Sequence, residues 1–126
     1  MCANKRFLTT LLRDTWGFDG IVVSDCQAIS NELSPGHNYT NNITSAVALS
    51  IRAGTDTDCG AGGTYAEEYR DYIQAAMAEG LLSEADLDTA ISRVLKASFQ
   101  LGELLGNDTV PAQRLGVEAV DSPLHR

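Results

Sequence analysis

The sequence predicts an α/β fold built on parallel strands. Helical periods of apolar residues alternate with short extended runs, in the order helix, strand, helix, weak strand, helix, helix. Such alternation marks parallel α/β architecture. The run Ile21-Val22-Val23 is short, β-branched and uniformly apolar, which suits a strand covered on both faces. Two strands leave unpaired edges and make no stable parallel sheet alone, so the chain is expected to be part of something larger.

The first helix is predicted over residues 4–16, where Phe7, Leu8, Leu11, Leu12 and Thr15 recur three and four apart. Gly17 supplies a left-handed C-terminal cap. After the turn Phe18-Asp19-Gly20, the strand ends in Ser24-Asp25-Cys26. A polar loop over 27–42 follows and carries the turn signal Pro35-Gly36. The second helix is predicted over 44–52, with Thr44 as N-cap and Val47, Ala48 and Ile51 as its apolar stripe. Thr55-Asp56-Thr57-Asp58-Cys59-Gly60 is a poor strand by composition, because aspartate disfavours sheet. Its place in the alternation makes it the second strand. The third helix, over 65–79, puts Tyr65, Tyr69, Tyr72, Ile73, Ala76 and Met77 on one side, and Gly80 stops it. Ser83-Glu84-Ala85-Asp86 is a capping box with Asp in place of the usual Glu. It opens a fourth helix to Leu101, closed by Gly102. Residues 103–126, with Pro111 and Pro123, read as a linker.

Composition narrows the function. The chain of 126 residues is enough for one small domain. A formal net charge of −8 with scattered Lys and Arg argues against a nucleic-acid partner. No run reaches the ~18 apolar residues that a membrane-spanning helix needs. No signal peptide opens the chain, and Met1-Cys2-Ala3-Asn4 runs straight into the helical pattern, as at an internal boundary. The three cysteines form no C-x-x-C pair, which leaves a zinc ribbon unsupported. Three N-x-S/T sequons, at Asn38, Asn42 and Asn107, lean toward a secreted glycoprotein.

Asp25 is the residue to watch. It stands at the carboxyl end of the predicted buried strand, the end that bears the active site in α/β barrels. Burying a carboxylate without partners is costly. On position alone, Asp25 is either a functional carboxylate or a loop cap that accepts backbone hydrogen bonds.

The surrounding residues favour the first reading. Leu11-Leu12-Arg13 followed by Trp16-Gly17-Phe18-Asp19-Gly20-Ile21-Val22-Val23-Ser24-Asp25-Cys26 resembles the nucleophile segment of glycoside hydrolase family 3. That segment has a leucine-rich helix, W-G-F-x-G, a β-branched run and S-D. Arg52-Ala53-Gly54-Thr55-Asp56, Ala90-Ile91-Ser92-Arg93-Val94-Leu95 and Leu101-Gly102 follow in the family's order, and residues 116–126 look like its interdomain linker.

The resemblance implies a partial (β/α)8 barrel: its last two strand-helix units over residues 1–102, and an extended linker over 103–126 toward a missing second domain. It implies a retaining exo-β-glycosidase in which Asp25 attacks the anomeric carbon and forms a covalent glycosyl-enzyme. A second carboxyl, lying beyond this chain in the family, protonates the leaving oxygen; the two stand about 5 Å apart in retaining enzymes. Without it and the missing barrel strands, the isolated chain is expected to be inactive. No cofactor or metal is implied, and the partner is a carbohydrate substrate. Ser-Asp-Cys and Asp-Cys-Gly look most like the β-xylosidase and arabinofuranosidase branch, so a terminal β-xyloside is favoured, with a β-glucoside next. In that branch Cys26 and Cys59 fall at neighbouring strand ends, as a candidate disulfide or two buried thiols. The resemblance also puts Cys26, His37 and Tyr39 near the sugar, and makes Asp56 a structural brace.

Two other readings compete. Asp56, Asp58 and Glu67 fall at the first, third and twelfth places of a calcium loop, but Gly60 and Ala61 break the pattern. Alternatively, the chain is a noncatalytic carbohydrate-binding or interaction relic of the same family.

Overall fold

The structure is a computed structural model that describes residues 1–59, 68–104 and 110–123, with the backbone alone at 112 and 113. The predicted loop 60–63, Tyr65, Glu67 and Asn107 lie outside the described residues. The chain divides into two compact units, Met1–Val94 and Leu95–Arg126.

The first unit opens with a π-helix, Arg6–Thr15. Its wide winding continues into the exit: Trp16 N–H donates to Leu11 O at 3.0 Å, five residues back. The Thr15 hydroxyl likewise donates to Thr10 O at 2.8 Å. Gly17 follows at φ +71°, a conformation that costs a glycine little. Of the predicted stripe, Leu8 is buried while Phe7 is exposed.

The first α-helix, α1 (Ile43–Ala53), is capped by Asn42, whose Oδ1 accepts from Thr44 N at 2.9 Å. Its stripe holds as predicted, with Val47, Ala48 and Ile51 buried. Burying Val47 and Ile51 contributes about 1.5–3 kcal/mol each. Gly54 ends the helix at φ +111°. α2 (Glu68–Ala78) packs against α1, and α3 (Glu84–Leu101) begins at the predicted capping box. There Ser83 N donates to Asp86 Oδ2 at 2.9 Å and Asp86 N to Ser83 Oγ at 3.3 Å. The core joins Ile29, Val47, Ile51, Tyr69, Ala76 and Leu82. In the second unit, residues 103–126 are not wholly extended: Pro111–Arg114 and Val117–Ala119 form 3-10 turns.

Among the described residues, the expected pair of strand-helix units does not form. Among the described residues the extended segments meet at one isolated parallel bridge, Val23 to Thr57, and no sheet forms. The partial (β/α)8 barrel is therefore overturned as a description of this chain. Ile21-Val22-Val23 is not covered on both faces, since Val23 is 60% exposed. The physical reason is the shortage of partners. Ser24 N donates to Thr57 O at 3.0 Å and Asp56 N to Val22 O at 2.8 Å, but the Val22 N–H goes to the Asp56 side chain instead of a neighbouring backbone. Local β-propensity cannot extend a ladder that has one neighbour over so few residues.

Candidate active site

The bridge sets where Asp25 falls. Just past it the chain turns, with Ala28 N donating to Asp25 O at 3.0 Å and Gln27 at φ +63°. The turn leaves the Asp25 side chain exposed, and Oδ1 accepts from Cys26 N at 2.8 Å. Cys26 and Cys59 are disulfide-bonded, with Cα atoms 4.6 Å apart. Beside the bond, Cys59 N donates to the buried Ser24 Oγ at 3.0 Å.

Asp25 lines a cavity of about 1050 Å³. His37 and Tyr39 line it too, so residues apart in the sequence are brought to one hollow. Cys26 lies outside that lining. Asn38 is exposed between them, at φ +44°. Asn42 is engaged as the α1 cap, and the Thr44 hydroxyl lies 2.7 Å from both Asn42 Oδ1 and Glu79 Oε2.

Several lining residues carried no sequence signal. Lys5, Arg6 and Arg52 bring positive charge to the cavity, and Glu32 brings a second carboxyl. Glu32 is 6% exposed. Its Oε1 accepts from Ala3 N at 3.1 Å and lies 3.5 Å from Ser50 Oγ, while Oε2 has no partner. Burial pushes its carboxyl above the ordinary glutamate range, against the opposing pull of the Ala3 N–H. The 3-10 turn Ser30–Leu33 puts Glu32 inward, a placement that polar loop composition hides.

Behind Asp25 lies a charged cluster. The fully buried Asp56 carboxylate takes Arg13 on Oδ2 at 2.7 Å and Arg93 on Oδ1 at 2.8 Å. Arg13 also donates to Gly20 O at 3.0 Å and Gly54 O at 3.1 Å. Asp58 Oδ2 accepts from Tyr69 N at 3.0 Å. With its oxygens on two guanidinium groups and a backbone N–H, Asp56 is committed to a structural network, which removes the calcium-loop reading. Among the described residues, no group of three His, Cys, Asp or Glu side chains is placed to hold a metal.

Comparison with known proteins identifies the family. The model of the glycosyl hydrolase family 3 N terminal domain matches residues 1–97, and the chain belongs to that family. The match names the N-terminal domain, whereas the motifs suggested the closing part of a barrel. A probable exo-1,4-beta-xylosidase of Aspergillus clavatus is 44% identical over 110 residues, covering 86% of this chain and 13% of that relative. A xylan 1,4-beta-xylosidase of Xylanibacter ruminicola is 36% identical over 103 residues, covering 82% of this chain and 11% of the relative. Among solved structures, a family 3 exo-beta-xylosidase in complex with a xylobiose aziridine activity-based probe superposes at a TM-score of 0.76, with 39% identity. That superposition covers 90% of this chain and 14% of the other. The chain thus spans about an eighth of the length of these relatives.

Proposed function

We propose that this chain supplies the nucleophile of a retaining exo-β-glycosidase acting on terminal β-xylosides. The observation that carries the reading is Asp25, an exposed carboxylate at the wall of a cavity of about 1050 Å³. Its Oδ1 accepts from the Cys26 N–H, which orients the carboxylate at the cavity wall. Asp25 attacks the anomeric carbon, the leaving oxygen departs with a proton, and water later releases the sugar. The names of the relatives support xylose over glucose. His37 and Tyr39 line the same wall and face the sugar; the sequons at Asn38, Asn42 and Asn107 and the Cys26–Cys59 bond support an extracellular setting.

The chain alone is expected not to turn over. Among the described residues, the only other carboxyl lining the cavity is Glu32, whose Oε2 is buried without a partner. The test is a chimera in which residues 1–97 replace the matching segment of the Aspergillus clavatus relative. Hydrolysis of an aryl β-xyloside, faster than of the aryl β-glucoside and lost in Asp25→Asn, supports the proposal. Hydrolysis that survives Asp25→Asn contradicts it.

A further inference from the structure

We propose that Asp56, with Arg13 and Arg93, is a positioning residue for Asp25: the cluster fixes the backbone that presents the carboxylate. The inference rests on the reading of Asp25 above and goes beyond bracing. The segment from Gly20 to Cys26 is held at two places. At its start, Arg13 binds Gly20 O, and Asp56 Oδ2 takes the Val22 N–H at 2.9 Å. Asp56 N returns a bond to Val22 O, so one residue grips both polar groups of Val22. At its end, Ser24 N binds Thr57 O, Ser24 Oγ accepts from Cys59 N, and the disulfide joins Cys26 to Cys59. Asp25 sits between these holds.

The first hold is electrostatic and buried. The Asp56 side chain is 0% exposed and that of Arg13 8%. A carboxylate there cannot give up either guanidinium without leaving buried charge unpaired. The Val22 amide is therefore fixed by a group that has no freedom to move. In a segment with a single isolated bridge, that substitutes for the ladder that would otherwise set the register. Arg93 ties the same carboxylate to α3, so a distant helix shares in holding the segment three residues ahead of Asp25.

The test reads Asp25 directly. The Cys26 N–H donates to Asp25 Oδ1, so its amide proton shift reports whether that carboxylate is held in place. In the oxidised full chain, NMR is expected to show a downfield Cys26 amide shift that is absent in Asp25→Ala. In Asp56→Asn, the downfield Cys26 shift is expected to be lost while the amides of α1 and α2 hold their positions. Arg13→Lys, which keeps the charge but not the fork to Gly20 and Gly54, is expected to lose it too. Should Asp56→Asn fail to fold, Arg93→Gln, at a side chain 27% exposed, decides by the same signal. A Cys26 shift retained in a folded variant overturns the proposal. If instead the chimera hydrolyses xyloside without Asp25, the nucleophile reading fails while this result stands apart from it.

Discussion

Glu32→Gln is the substitution whose outcome the structure specifies most fully. The Glu32 carboxyl is buried, with one oxygen bonded and the other without a partner. Burial disfavours its charged form and raises its folded pKa. The folded chain therefore keeps a proton that the unfolded chain gives up at about pH 4.3, the ordinary glutamate value. The associated stability is fully present below that pH and is lost as pH rises through the folded-state pKa. One proton corresponds to a slope of at most ~1.4 kcal/mol per pH unit within that window. Glutamine removes the proton but places an NH2 where Oε2 lacked a partner. That costs about 1–3 kcal/mol, independent of pH. The constant offset is thus uninformative, and the slope decides. Urea unfolding from about pH 4 to about pH 7 is expected to show the wild-type chain losing stability relative to Glu32→Gln. Carboxylates elsewhere cancel in that difference. A wild-type-minus-variant difference that stays flat across the range would refute the account of Glu32.

Three further outcomes follow from other contacts. Asp56→Ala strands the guanidinium of Arg13 and is expected to cost roughly 3–5 kcal/mol in urea unfolding. Tyr69→Phe removes the hydroxyl that donates to Thr55 O at 2.9 Å and is expected to cost about 1 kcal/mol. Burial, then the nearby Asp58, holds the Tyr69 hydroxyl above its ordinary pKa, so in alkaline titration at 295 nm wild type and Tyr69→Phe should show the same early tyrosinate amplitude. Ser83→Ala breaks the capping box and is expected to cost about 1 kcal/mol. The Ser83 hydroxyl, and then its N–H, lower the Asp86 pKa, so this stabilisation is present above the ordinary aspartate value and fades as pH falls through the folded one. Ser83→Ala should therefore cost less in acid.

The helices were legible because their signals are local. Gly17, Gly54 and Gly80 all adopt positive φ where the sequence placed helix ends, and Ser83 and Asp86 close their box as spacing requires. The N-cap of α1 was missed by two residues. Thr44 has a suitable hydroxyl, but it turns to Glu79, and Asn42 takes the amide. The strands failed because a β-branched run states a preference and not a partner; Ile21 and Val23 remain exposed. The π winding of the first helix has no signature in its leucine spacing. Asp25, His37 and Tyr39 were within reach of motif and loop position, and they share one cavity. Glu32 and the two arginines on Asp56 were not. Arg13 and Arg93 stand 43 and 37 residues away from Asp56, separations that no local pattern reports.

The most direct measurement is the site of covalent attachment. The chimera described above, treated with a xylobiose-configured aziridine and digested, should carry the adduct on the peptide containing Asp25. Asp25→Asn should take up no label and lose turnover by at least roughly 10³-fold, the scale on which a member of a catalytic unit acts. An adduct mapped to any other carboxylate, or equal labelling of the Asn variant, would contradict Asp25 as the nucleophile.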